Sequence, residues 1–409
     1  MKRWQKIALL LVLLIVLSQL PFAYRRYQLG RLHKAIASLE SQPRHGPVYD
    51  RFFEYQGVAH VHSFLGGHSD GAFQEIIAAA YSNYLDFVLM TEHPARDFNT
   101  AEMTLKGRHG RALFINGNEV KTASGDRLLL FPGDEQANRS SDWTTQEVLS
   151  LRTSGLAFAA YPEEFRSWEV KGLSGIEVYN VYTNAQKINP LLMFFDALWS
   201  YRSYPDLLFA TFYERPSESL KKWDDAIKRR GERLVAIGGN DSHANVGFSL
   251  NDSSGKPLLG LKLDPYERSF RLVRLHVLVS VMPSEHSMRP TLDEQSLLAA
   301  IAAGHCFIGY DLFGDTSGFR FAAQDADESK IMGDEIKLDD EVRLTVKLPV
   351  TGRVVLFKDG VAIKDTSDVN FMEFVAKEKG SYRVEANLQQ LPGRVKTQPW
   401  IISNPIYVR

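Results

Sequence analysis

Cysteine is almost missing from this 409-residue chain: Cys306 stands alone. No internal disulfide can form, and no cluster of thiolates can hold a metal. A net charge of either sign is missing too, because 48 basic residues face 49 acidic ones for a formal charge of −1. That balance gives no global pull toward nucleic acid or an acidic surface, and no nucleic-acid partner is expected. There is no internal repeat and no long low-complexity tract. Hydrophobic residues make up 44% and charged residues 24%, an ordinary globular composition, and the length allows a large core and two domains.

Long apolar runs are confined to the N-terminus. Lys2, Arg3 and Lys6 precede Ile7 to Leu17, an unbroken apolar stretch that extends less strictly to Ala23. Residues 1–23 therefore read as a secretory signal or a single membrane anchor. Ala23 suits a cleavage site but Pro21 at the −3 position does not, which favours an uncleaved anchor. Arg25, Arg26 and Arg31 follow it, so basic residues flank both ends and the charge rule leaves orientation open. The start-transfer character points to the cell envelope, with the soluble part on the extracytoplasmic face. Residues 24–50 are polar and basic and read as a linker.

What is abundant is histidine, packed into one short stretch. Gly57 to His93 holds His60, His62, His68 and His93 together with Asp70 and Glu92. His60 and His62 stand at i and i+2, a spacing that points two side chains the same way at a strand end. Beyond it, short apolar runs end repeatedly on polar or chelating residues. DFVLM runs into Thr91-Glu92-His93, ALFI leads to Glu119, and LVAIGG ends on Asn240-Asp241-Ser242-His243. RLLLF, LAFAA and GIEVYN are further strands, and AFQEIIAAAYSNY is helical. This alternation argues a parallel α/β architecture with its chemistry at the C-terminal strand ends. Near the end of this region Thr291 and Glu294 suggest a capping box for a helix that Gly304 terminates. From about Asp311 the pattern changes to period two, with Asp359-Gly360 as a hairpin signal.

Taken together, H-x-H-S with a trailing His and S-D-G, then T-E-H, G-N-E-V and G-N-D-S-H, resemble the PHP (polymerase and histidinol phosphatase) metallohydrolases. The closing WIISNPIYV is similar to the carbaryl hydrolase-like branch. The resemblance implies a distorted (β/α)7 barrel over residues 51–310, followed by a small antiparallel β-sandwich over 311–409. It implies that His60, His62, Glu119 and Asp241 hold one divalent ion, with His68, His93 and His243 on another. Asp70 is the reserve for His68. Mixed imidazole and carboxylate ligands suit Mn, Zn or Fe.

The family pattern supplies two further histidines before the final D-x-H, yet here none occurs from Gly110 to Ser242. Arg127 and Tyr161 take the matching positions, so one or two ions are expected rather than three. Arg127 would anchor a substrate anion or make a surface ion pair; Tyr161 would donate to substrate or pack as an aromatic. Glu92 and Asn240 are candidates to orient the ligands. Glu177 and Asn180 read as pocket lining or ordinary strand-end polarity. His33, His45, His109, His276, His286 and His305 fall outside the motifs and read as structural or solvated, and Cys306 as a buried small hydrophobe. The implied activity is a metal-activated attack of water on a small-molecule phosphoester. The alternatives are a carboxylic or carbamate ester or amide, or a binding protein with a vestigial metal site.

Overall fold

The computed structural model describes residues 2–44, 51–186, 188–251, 257–280, 289–325 and 328–409. His45 and His286 lie outside the described residues. The first helix, α1 (Arg3–Glu40), is 38 residues long. By length and composition it is the one helix among the described residues able to cross a membrane, and its apolar first half is exposed. Its second half behaves differently. Phe22, Leu29, Leu32, Ile36 and Leu39 recur at helical spacing and are buried. Each such side chain contributes about 1.5–3 kcal/mol when removed from water. Up to Glu40, then, the expected linker is a docked continuation of the same helix.

The chain then alternates strand and helix. Strand β1 (Phe52–Val61) is followed by α2 (Phe73–Ser82), β2 (Phe87–Met90) and β3 (Ala112–Ile115). Helix α2 buries Ile76, Ala79 and Ala80, one face of its i, i+3, i+4 pattern. Next come β4 (Asn118–Lys121), β5 (Arg127–Phe131), β6 (Leu156–Ala160) and β7 (Gly175–Asn180). Helices α3 (Val181–Gln186), α4 (Pro190–Ser200) and α5 (Ser217–Arg230) lead to β8 (Val235–Gly239). The remainder runs through β9 (Arg274–Ser280), α6 (Glu294–Ala302), β10 (Cys306–Gly309), β11 (Val342–Lys358), β12 (Val361–Ala376), β13 (Gly380–Asn387) and β14 (Ile401–Ser403).

The result is mixed α/β, with departures from the expected barrel and sandwich. Neighbours β1–β2, β2–β3, β6–β7 and β7–β8 pair in parallel. The β4–β5 pair is antiparallel, because the turn from Lys121 to Arg127 is too short for a crossover. Strands β4 to β8 form one five-stranded sheet, while β1, β2 and β3 belong to a 14-stranded one. No closed barrel is found among the described residues. Strand β1 carries β9 along Phe52–Gly57 and β2 along Gly57–Val61. The segment after β8 reaches β1 through hydrogen bonds from Asn240 N to Ala59 O, Ser242 N to His60 O and His62 N to Ser242 O and the isolated bridge Val61↔Ser242, and Glu92↔Asn118 joins the sheets a second time.

The expected separate sandwich is not confirmed. Strand β14 pairs with both β10 and β13, so the large sheet runs without a break past residue 310. Phe307 and Ile308 share one apolar core with Val354, Leu356, Val384 and Ile401. Asp359 and Gly360 do form the expected two-residue hairpin, with φ of 50° and 83°. Helix α6 is capped by Asp293, whose side chain accepts from Ser296 N, rather than by Thr291. Gly304 ends it as expected, at φ +75°.

Candidate metal centre

Four side chains from three strand ends converge where the two sheets meet. His60, His62, Glu119 and Asp241 are buried and each offers a ligand atom within 4.8 Å of the others. His60 Nε2 lies 3.1 Å from Glu119 Oε2 and 3.3 Å from Asp241 Oδ1. His62 Nε2 lies 3.4 Å and 3.3 Å from the same two oxygens. A second set joins His62 to His93 and His243. His93 stacks on His62 at 4.6 Å between ring centroids, and His243 at 4.3 Å.

Each carboxylate divides its oxygens between two tasks. Glu119 Oε2 faces the imidazoles while Oε1 accepts from Arg127 at 2.8 Å. Asp241 Oδ1 faces the imidazoles while Oδ2 accepts from the Tyr161 hydroxyl at 2.8 Å and the Asn180 amide at 3.2 Å. His243 Nδ1 is 2.9 Å from the Asp241 backbone carbonyl, which leaves Nε2 for a ligand. Glu177, fully buried, holds His60 Nδ1 at 2.6 Å and accepts from Asn180 at 3.2 Å. The reading of Glu177 and Asn180 as ordinary strand-end polarity does not match this wiring. Space for it comes from Gly239, where an added Cβ would sit 1.7 Å from Glu177 Oε1.

Glu92 and Asn240 work on the backbone instead. Glu92 accepts from Ser63 N and from the Thr104 hydroxyl at 2.7 Å, and Asn240 donates to the Ser269 carbonyl. His68 stands at the pocket rim, exposed, its ring 4.9 Å from that of His93. It lies outside both ligand sets, as does Asp70, which is exposed. Arg127 and Tyr161 flank the centre, and the guanidinium carbon lies 5.0 Å from the Tyr161 ring centroid.

The backbone is strained here. Among the described residues seven non-glycine residues have positive φ, and His60, Tyr161, Asp241 and Ala244 are four of them. Each such conformation costs on the order of 1–3 kcal/mol and persists where surrounding structure enforces it. His60 sits at a register shift between Ala59 and Val61, so its ring joins that of His62 through a bulge rather than through regular alternation.

The two carboxylates draw positive charge into the buried centre. Burial disfavours charge on Glu119 and Asp241, yet His60 and His62 hold both below the usual carboxylate range. Burial likewise opposes charge on His60, but Asp241 and Glu177 push its pKa well above the ordinary value. Burial and the neighbouring His62 push His93 down to about 3 and His243 down to about 4, the neutral state that binds metals. Asp241 Oδ1 and His62 Nδ1 are buried without a hydrogen-bond partner. Lone pairs that converge at 3.1–3.4 Å, with an oxygen left unbonded, fit a divalent ion held by nitrogen and oxygen. The centre opens into a pocket of about 420 Å³ lined by His68, His93, Lys121, Arg127 and Tyr182.

No family model and no curated protein matches the chain. Among solved structures it is similar to a two-domain protein containing a predicted PHP-like metal-dependent phosphoesterase from Bacteroides vulgatus ATCC 8482. The identity is 12% and the TM-score 0.38, over 89% of this chain and 98% of that one. It is also similar to PsfC from Pseudomonas syringae PB-5123, at 12% identity and a TM-score of 0.35, over 61% of this chain and 89% of that one. At such low scores neither likeness carries an argument about chemistry, which rests on the side chains themselves.

Proposed function

We propose that the chain is a PHP-type metal-dependent hydrolase that cleaves a phosphoester and is tethered to a membrane through α1. The observation that carries this reading is the convergence of His60, His62, Glu119 and Asp241 at the floor of an open pocket. A divalent ion held there would supply Lewis acidity and lower the pKa of a water. Glu119 and Asp241 supply the negative charge that retains it. Glu177 fixes the ring of His60, and Tyr161 and Asn180 aim Asp241. Arg127 and Tyr161 thus position ligands, and Arg127 also lines the pocket.

One ion suits the four-residue set, and His93 with His243 offers a second position that would share His62. The pocket is lined by Lys121 and Arg127 as well as by Glu119, Glu164 and Asp241, and Lys121 and Arg127 are the groups that would meet an anionic phosphoester. The docked second half of α1 supports an uncleaved anchor, because Phe22 and Leu29 belong to the folded body. The start-transfer character of residues 1–23 is what supports placing the domain on the extracytoplasmic face.

The test is metal analysis of the purified chain, followed by paired assays on p-nitrophenyl phosphate and p-nitrophenyl acetate. We expect bound metal and turnover of the phosphate. Turnover of the acetate alone would move the reading to ester hydrolysis, and neither metal nor turnover would leave a binding protein.

A further inference from the structure

Helix α4 is built inside out. Its buried face carries Asp196, Ala197 and Ser200. Leu191 and Leu198, two turns apart, lie on the opposite face and are exposed, Leu191 by 64% and Leu198 by 68%. A helix of a soluble domain turns such side chains inward. Position supplies the reason for the reversal. Helix α4 packs on α1 where the exposed apolar half ends: Phe22 meets Phe195 at 5.1 Å, Gln19 accepts from Trp199 Nε1 at 3.0 Å, and Arg25 pairs with Asp196 at 2.7 Å. The apolar surface of α1 therefore continues onto α4. Arg31, Lys34 and Arg202 are exposed beside this junction, while its acid Asp196 is already paired, a charge pattern suited to anionic headgroups.

A second feature leads from α4 to the metal centre. An apolar cavity of about 130 Å³ lies between α3, α4 and the end of β8, lined by Ala185, Met193, Phe209, Leu272 and, at its inner end, Asp241. Tyr182 and Asp241 line both this cavity and the main pocket.

We propose that α4 lies in the bilayer surface beside α1, and that the substrate is an amphiphile: a lipid phosphoester whose phosphate enters the metal pocket while its apolar part occupies this cavity. The substrate half of this inference rests on the hydrolase reading; the docking half does not.

The two are separated by two readouts on the full chain in vesicles of phosphatidylethanolamine and phosphatidylglycerol. Cys306 is fully buried, so a Leu198→Cys variant takes an environment-sensitive fluorophore selectively. We expect blue-shifted emission quenched by spin-labelled lipid, unlike a label at Val361→Cys on the exposed tail hairpin. Emission matching the Val361 label overturns the docking, and so does protection from aqueous quencher without lipid quenching, which would assign this face to a second copy. In the same vesicles, Leu191→Asp/Leu198→Asp is expected to slow release of phosphate from phosphatidic acid roughly tenfold and to leave p-nitrophenyl phosphate turnover unchanged. Equal loss on both substrates, or on neither, overturns the lipid assignment. A chain that turns over neither phosphate in any form sinks the hydrolase reading while the fluorescence result stands.

Discussion

His60 and His276 are both fully buried and both lie between carboxylates, yet the carboxylates are arranged differently. Around His276 they take opposite ring nitrogens: Glu54 is 2.8 Å from Nδ1, and Asp311 is 3.3 Å from Nε2, where Thr316 also lies at 2.9 Å. Arg320 closes the network on Glu54 at 2.7 Å. Each charge is spent on a neighbour, and the ring stacks on Phe307 at 4.7 Å. Around His60, Glu177 takes one nitrogen, but the other shares Glu119 and Asp241 with His62 at a pocket floor. A buried polar cluster is therefore no mark of a site by itself. Convergence on one point, with an oxygen left over, is what distinguishes the candidate metal centre.

Substitutions at the two clusters test that distinction. The largest effect on stability is expected from His276→Ala, which removes the cation that Glu54 and Asp311 share and leaves them only Arg320 and Arg274. Breaking a buried ion pair costs about 3–5 kcal/mol, to be read from urea unfolding, with metal content per folded chain unchanged. Loss of metal instead would erase the contrast between the clusters. This gap also depends on pH. Burial lowers the His276 pKa, but Asp311 and Glu54 more than offset that and push it up to about 10, against 6.5 ordinarily. A raised folded pKa contributes stability in full below about 6.5 and loses it as pH climbs toward 10, so the gap between wild type and variant should narrow over that range.

At the metal centre, Asp241→Asn should lower both bound metal and turnover by at least about a hundredfold, more than the ten- to hundredfold typical of a residue that merely supports a ligand. Elemental analysis and kcat/KM check this, and full metal occupancy would remove Asp241 from the ligand set. Glu177→Gln keeps the shape and loses the charge behind His60. Its expected cost is about tenfold in metal affinity, measured by competition with a chelator. Arg127→Ala is expected to have the smallest effect, a KM increase of a few-fold with kcat nearly kept, because Arg127 is half exposed and its pairing is screened. A collapse of kcat would mean that its hold on Glu119 matters more than its contact with substrate.

The local pattern of residues carried much of this protein. Short apolar runs marked β5, β6 and β7, a 3.6-residue period marked α2, and Asp-Gly marked the β11–β12 turn, because burial and backbone sterics act over a few residues. The chelating residue types were legible for the same reason, since each follows an apolar run. What a linear pattern does not contain is which distant elements become neighbours. That decided the open pair of sheets, the merging of the tail into the first sheet, and the docking of α1. It also decided that Glu177 backs His60 while Glu92 turns to the Ser63 backbone. The geometry of the cluster depends on the left-handed turns at His60 and Asp241, which no local pattern in the sequence announces.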